Sequence, residues 1–142
     1  MPRTMTSAER ESFLADRHVG VITIAGEGAV PFAVPIWYAY EPGGLVTVQT
    51  GAETKKARLL RRAGRFRLVA QQEALPYKYV TVEGPVVEMG PEAVDPAERR
   101  AMAVRYLGEE GGDAYIASTQ EMAAEIAIRM RPERWTSFDF SE

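Results

Sequence analysis

The sequence contains no cysteine and a single histidine, His18, among its 142 residues. Without cysteine there is no disulfide, no thiolate nucleophile and no thiolate metal site. One imidazole cannot build a multi-histidine centre. Any metal would rest on carboxylates, which suit hard ions and not redox metals. Long apolar runs are missing too. None approaches the ~20 residues that a membrane-spanning helix needs, and the opening Met1-Pro2-Arg3-Thr4-Met5-Thr6 lacks the apolar core of a secretory signal. A cytoplasmic protein with no membrane partner is expected. The sequence also has no G-x-G-x-x-G and no Walker-type run, so Rossmann and P-loop nucleotide sites have no local support.

Acidic residues are absent from one stretch. Thr54 to Gln72 holds Lys55, Lys56, Arg58, Arg61, Arg62, Arg65 and Arg67, seven of the 17 basic residues, and none of the 20 acidic ones. On a chain of net charge −3 this is a local basic island. A nucleic-acid partner is not expected. The island is short, the rest of the chain is acidic, and few aromatics interleave with the basic residues.

What remains is a pattern of short β-branched segments. A helix is expected over Ser7 to Ala15, with Thr6 and Glu9 as a capping box. Val19 to Ile24 reads as a strand. Pro31 to Tyr40 reads as one strand, with Phe32, Val34, Ile36 and Tyr38 on one face and Ala33, Pro35, Trp37 and Ala39 on the other. Pro35 cannot donate to a ladder, which suggests an edge or a bulge. A turn at Glu41-Pro42-Gly43-Gly44 returns the chain as Leu45 to Thr50. A helix over Glu53 to Arg62, closed by Gly64, precedes a strand over Arg65 to Gln71. Tyr79 to Val87 reads as a strand with a bulge at Gly84-Pro85. Asp95-Pro96-Ala97-Glu98 predicts a capped helix start with Glu98 closing a capping box. That helix is expected to end near Leu107, broken by Gly108 and Gly111-Gly112, with a short helix over Ala114 to Ser118. Glu125 to Arg131 and Trp135 to Phe140 read as strands joined by a turn at Pro132-Glu133. About seven short strands with peripheral helices, all in one domain, suggest a mainly β barrel or sandwich.

Chemistry is best supported where the strand ending at Thr50 meets the helix that begins near Thr54. Lysines in a first helical turn are unfavourable beside the positive end of the helix dipole. Lys55 and Lys56 make better sense with an anion between them and the free N–H groups, and phosphate fits. A solvated basic helix face is the other reading. Val34-Pro35-Ile36-Trp37-Tyr38 supplies a rigid aromatic strand that suits the wall of a planar-ring pocket, or ordinary core packing. Arg129-Met130-Arg131-Pro132-Glu133-Arg134-Trp135 reads either as a solvated strand face or as an interface segment reaching a neighbour's ligand. His18, at a helix–strand junction, reads as structural. Trp37, Trp135 and several tyrosines on short strands give more apolar area than one copy covers, so a two-fold dimer is expected.

Taken in order, Val34-Pro35-Ile36-Trp37-Tyr38, Thr50 to Lys56 with Leu60, Tyr77 to Gly84, and Arg131-Pro132-Glu133-Arg134-Trp135 resemble the pyridoxamine 5′-phosphate oxidase-like family, with its flavin and deazaflavin oxidoreductases. The resemblance runs from about Ser7 to Phe140. It implies a single split β-barrel domain of the FMN-binding type over residues 1–142, and a homodimer with cofactor sites at its interface. It further implies a cofactor phosphate held by Lys56 with Thr54 and Lys55 close by. The ring would lie along Pro35, Ile36 and Trp37, near Gln49 and Thr50. Tyr77, Lys78 or Trp135 would close the site from the partner subunit. The implied cofactor is coenzyme F420 or FMN, with F420 placed first. The implied activity is hydride transfer between reduced cofactor and a small unsaturated or quinone-like electron acceptor. The alternative is a module that binds a flavin or haem-like ligand without turnover. The longer vitamin B6 oxidases carry a C-terminal segment with substrate-binding arginine and histidine residues that has no counterpart in this sequence, so vitamin B6 oxidation is not expected. No side chain is assigned as catalytic, though Tyr38 and Tyr79 are candidate proton donors.

Overall fold

The computed structural model describes residues 1–141. Along the chain lie α1 (Ser7–Ala15), β1 (Gly20–Ile24), β2 (Phe32–Ile36), β3 (Tyr38–Ala39), β4 (Val46–Gly51), α2 (Lys55–Ala63), β5 (Arg65–Gln72), β6 (Lys78–Met89), α3 (Pro96–Ser118), β7 (Glu125–Met130) and β8 (Arg134–Asp139). The strands pair antiparallel in the order β2-β1-β5-β6-β7-β4-β3, with β8 beside β6. β2 and β3 stand at the two ends of this path, yet only Trp37 separates them in the chain. The sheet therefore curls round on itself as an antiparallel half-barrel.

Period-two alternation builds the wall. In β2 the side chains of Phe32, Val34 and Ile36 turn inward, while Ala33 and Pro35 are exposed. Pro35 faces Val21 on an edge strand, where its missing N–H costs no ladder bond. Inward residues of neighbouring strands, among them Ile22, Leu68, Val80, Val82, Val48 and Ile128, are fully buried and make one core. Each such side chain contributes roughly 1.5–3 kcal/mol by leaving water. Among the described residues no helix is long and apolar enough to cross a membrane.

Two expected features are corrected. The segment Pro31 to Tyr40 is not one strand, because it leaves β1 at Trp37 and joins β4. Pro132-Glu133, expected to reverse the chain, only kinks it. β7 and β8 both run antiparallel to β6, with Met130 opposite Val86 and Arg134 opposite Glu83. The ladder crosses the kink through Arg131 N–H to Pro85 O at 3.0 Å and Glu133 N–H to Glu83 O at 2.9 Å. Gly84 serves this crossing. A Cβ there would lie 1.8 Å from the Arg131 carbonyl oxygen. The glycine marks a close backbone approach, and across Gly84-Pro85 two residues of β6 face three, Arg131 to Glu133, so the ladder is irregular there as well as between Val86 and Glu88.

The helices close the ends and one face. α1 has the expected capping box, and Arg3 and Thr6 hold the Glu9 carboxyl down at about 2. α2 starts at Thr54, whose hydroxyl accepts from Ala57 N–H, and ends at Gly64 in the left-handed region with φ 69°. The first half of α3 ends at Leu107 as expected, broken at Gly108 with φ 79° and ψ 172°, but the second half runs directly on from there to Ser118 and is longer than the short helix expected over Ala114 to Ser118. At Gly108 the chain folds back, and Arg100 meets Asp113 at 2.7 Å. Gly111-Gly112 do not end the helix. Gly112 is where its two halves touch, and a Cβ there would come within 2.7 Å of Val104 Cγ2. Asp95 caps α3 through Ala97 N–H at 2.7 Å. Glu98 does not complete a capping box; its carboxylate takes the Arg129 guanidinium at 2.7 and 3.0 Å.

Candidate functional site

The N-terminus of α2 is the most cation-rich helix start in the chain. β4 ends at Gly51, and Thr54 N–H returns to Gly51 O at 3.2 Å, so a tight turn delivers Lys55 and Lys56 as the first helical residues. Their amides are first-turn donors without an intrahelical acceptor. The first turn has no acidic residue, and neither lysine forms an ion pair among the described residues. Lys55 Nζ sits 5.1 Å from the ring centre of Phe32, which ties this end to β2. Thr54 is committed to the backbone. Its hydroxyl donates to Gly51 O at 2.9 Å, accepts from Ala57 N–H, and lies 3.1 Å from the hydroxyl of buried Thr50. The two threonines shape the turn, and the lysines and free amides carry its positive charge.

Trp37 lies at the break between β2 and β3. Its ring stacks on Tyr106 at 4.9 Å and 6° and meets Tyr115 at 5.4 Å. Trp37, Gln49, Met102, Tyr115 and Glu125 line a small cavity of about 40 Å³ beneath α3. Glu125 pairs with Gly51, so this cavity abuts the strand end from which α2 departs. Gln49 also reaches a second cavity, of about 240 Å³, with Thr47, Met102 and Arg105. The structure thus brings Trp37 and Gln49 together; Thr50 follows Gln49 in β4, and Thr54, Lys55 and Lys56 lie past the turn that ends it. Ile36 points into the core, and Pro35 lies outward on the edge strand.

The remaining candidates are elsewhere. Tyr77 is exposed in the chain entering β6. Lys78 lines a cleft of about 370 Å³ with Asp16 and Asp139 under α1. Trp135 packs edge-on to Tyr40 at 6.0 Å. None of the three joins the α2 turn within one copy.

Several residues have roles that sequence reasoning missed or left open. Tyr106 fills the gap where the strand breaks at Trp37. Its hydroxyl accepts from Tyr38 N–H at 3.1 Å and donates to His18 O at 2.6 Å. Arg129 is not a freely solvated residue but is engaged within its own copy. It binds Glu88 at 2.6 Å, Glu98 at 2.7 Å and the Thr47 hydroxyl at 3.0 Å, and these carboxylates raise its pKa. Tyr38 is no proton donor. It is fully buried, donates to Leu14 O at 2.7 Å, and burial pushes its pKa upward. His18 is structural, stacked on Phe13 with Nε2 at 3.1 Å from Phe13 O, and burial lowers its pKa. Only tertiary contact reveals Tyr106 and Arg129.

The chain belongs to the pyridoxamine 5′-phosphate oxidase family, whose family profile matches residues 6–137. No curated protein matches it. Among solved structures it is similar to the conserved hypothetical protein Rv2991 from Mycobacterium tuberculosis, at TM-score 0.73 and 23% identity over 96% of this chain and 86% of that one. It is similar to an FAD-binding protein from Mesorhizobium loti, at TM-score 0.70 and 21% identity over 100% and 98% of the two chains. It is also similar to an F420 reductase, at TM-score 0.69 and 20% identity over 88% and 94%. At these identities the likeness establishes the fold.

Proposed function

We propose that this protein is a homodimeric oxidoreductase that holds the phosphate of coenzyme F420 or FMN at the start of α2. It would move a hydride between the reduced cofactor and a small unsaturated or quinone-like acceptor. The observation that carries this reading is the Lys55–Lys56 pair, free of acidic partners, on the unpaired amides of α2. A phosphate dianion suits that donor set by charge and by hydrogen bonding. The family assignment and the similarity to an F420 reductase and an FAD-binding protein support the cofactor class.

Each residue then has a task. Lys56 and Lys55 bind the phosphate, and Thr54 holds the turn that aims them. Pro35, rigid and outward on β2, gives a ring an apolar edge, and Trp37 and Gln49 fix the neighbouring wall under α3. The bound cofactor supplies the hydride chemistry, and the protein supplies position and a dry surface.

A second copy fits the outer face of the sheet that bears Pro35. Pro35, Val21, Val69, Thr81 and Thr136 lie in register across β2, β1, β5, β6 and β8, and none is buried. This uncharged row is bordered by a row containing Arg67, Glu83 and Arg134. An apolar band with a charged rim suits an isologous interface. Covering it would bring the partner to Pro35 and exclude water from the ring, with Tyr77 or Lys78 of the partner subunit as candidate closing groups; Trp135, packed inward on Tyr40, is not one.

Titration with FMN and with F420, followed by absorbance, tests the reading. A charge-assisted phosphate contact is worth roughly 1.5–3 kcal/mol. Lys56→Ala should therefore weaken binding about tenfold to a hundredfold. Riboflavin, which lacks the phosphate, should bind weakly and respond little to the substitution. Equal affinity of both proteins for FMN and F420 would remove the phosphate assignment.

A further inference from the structure

We propose that the cleft between α1, the β3–β4 turn and the β7–β8 kink binds a small organic carboxylate with an apolar body. The cleft encloses about 430 Å³ and is lined by Arg10, Glu11, Tyr40, Arg131, Pro132 and Trp135 among others. That volume lies within the range of small-molecule sites and is far larger than a simple inorganic ion needs.

Its charges are unevenly used. Glu11 is occupied, since its Oε1 accepts from Tyr40 O–H at 3.1 Å and from Gly43 N–H at 2.9 Å. It works as a strut that ties α1 to the β3–β4 turn. Arg10 has no counterpart of this kind. It forms no ion pair among the described residues, and its Nε is buried without a hydrogen-bond partner. Its guanidinium lies over the Trp135 ring at 4.8 Å, which fixes the plane of the fork. Stacked arginines present their edge donors in a fixed geometry that matches a carboxylate. Arg131 adds a second cation. It is exposed, and its contact with Glu133 at 3.1 Å is a surface pair that a ligand can share or displace. Tyr40, Pro132 and Trp135 offer apolar wall to the rest of the ligand.

The site is separate from the one proposed at α2. β4 carries the chain from Leu45 at this cleft to Gly51 at the start of α2, ~20 Å of extended strand at ~3.3 Å per residue. It is also separate from the uncharged sheet face. Trp135 packs inward toward the core, whereas Thr136, next to it in β8, faces out. A dimer formed through that face leaves the cleft open.

Calorimetric titration with benzoate, acetate, inorganic phosphate and benzyl alcohol tests the proposal. Wild-type protein should bind benzoate at least tenfold more tightly than acetate or phosphate, and should not bind benzyl alcohol. Arg10→Gln should weaken benzoate binding about tenfold and leave FMN and F420 affinity unchanged. Arg131→Gln, which changes an exposed side chain and leaves the backbone ladder in place, should lower benzoate affinity in the same direction. Absence of benzoate binding would overturn the proposal. So would equal binding by Arg10→Gln and Arg131→Gln, or tighter binding of phosphate than of benzoate. Because FMN and F420 are titrated in the same proteins, failure here is distinguishable from failure of the cofactor reading.

Discussion

Replacing Tyr106 by Phe would test how the half-barrel survives its break at Trp37. The change keeps the ring that stacks on Trp37 at 4.9 Å and removes only the hydroxyl. That hydroxyl is the acceptor for Tyr38 N–H at 3.1 Å, and Tyr38 is fully buried. It also lies 2.6 Å from His18 O and 3.1 Å from Tyr38 O. Losing it leaves a buried backbone donor without a partner, a cost of roughly 1–3 kcal/mol. At ~2.1 cal/mol/K per residue, a chain of 142 residues unfolds with an entropy near ~0.3 kcal/mol/K. The expected fall in Tm is therefore ~3–10 °C. Tyr106→Leu should cost roughly 0.5–1.5 kcal/mol more, because the aromatic stack goes too. Thermal and urea unfolding measure the stability, and hydrogen exchange at the Tyr38 amide reports the local bond. A Tyr106→Phe protein with wild-type Tm and wild-type Tyr38 exchange would refute the reasoning.

Gly84→Ala should destabilise the protein by more than ~3 kcal/mol or prevent folding, since the new Cβ would meet the Arg131 carbonyl oxygen 1.8 Å away; urea unfolding and soluble yield read this out. Val69→Glu, at the centre of the uncharged row on β5, should shift a dimer toward monomer, because a two-fold axis places the introduced charge in the interface twice. Light scattering across a concentration series checks it, and an unchanged dissociation constant would place the interface elsewhere.

The features that were legible in the sequence are local ones. Alternation at Phe32, Val34 and Ile36 announces a half-buried strand, and Thr54 and Gly64 mark both ends of α2. The cationic start of α2 is legible for the same reason, because Lys55, Lys56 and the first-turn amides lie within one turn. The kinks were not legible. Inward and outward residues keep alternating through Trp37, from Ile36 to Tyr38, so nothing in the pattern marks where the strand changes partner. The partner that makes the break tolerable, Tyr106, is 68 residues away from Tyr38. Pro132 resembled a turn residue because a missing N–H is common in turns. Here it falls opposite Gly84, where the backbones crowd and the ladder skips a bond. Gly111-Gly112 resembled a helix stop, and the reason for a small residue there is the approach of Val104 across a fold-back at Gly108.

That tertiary layer also refines the proposed site. Read from the sequence, Pro35 and Trp37 share an outward face and would flank a planar ring together. In the structure one face of Trp37 is already taken by Tyr106, and Tyr106 is pinned by hydrogen bonds to Tyr38, just past the strand break, and to His18, just ahead of β1. Trp37 is thus held too firmly to swing out as a stacking partner, and what it presents is the wall it shares with Gln49 under α3. Pro35 has no such cover. It sits on the uncharged sheet face that a second copy would bury, while Lys55 is tied to the same strand through Phe32. A cofactor whose phosphate rests on α2 and whose ring follows β2 would therefore reach its apolar contact at Pro35 on the face where the partner arrives. In that arrangement the loss of affinity on breaking the dimer should exceed the loss from removing Trp37, because only the partner can supply the second wall of the ring.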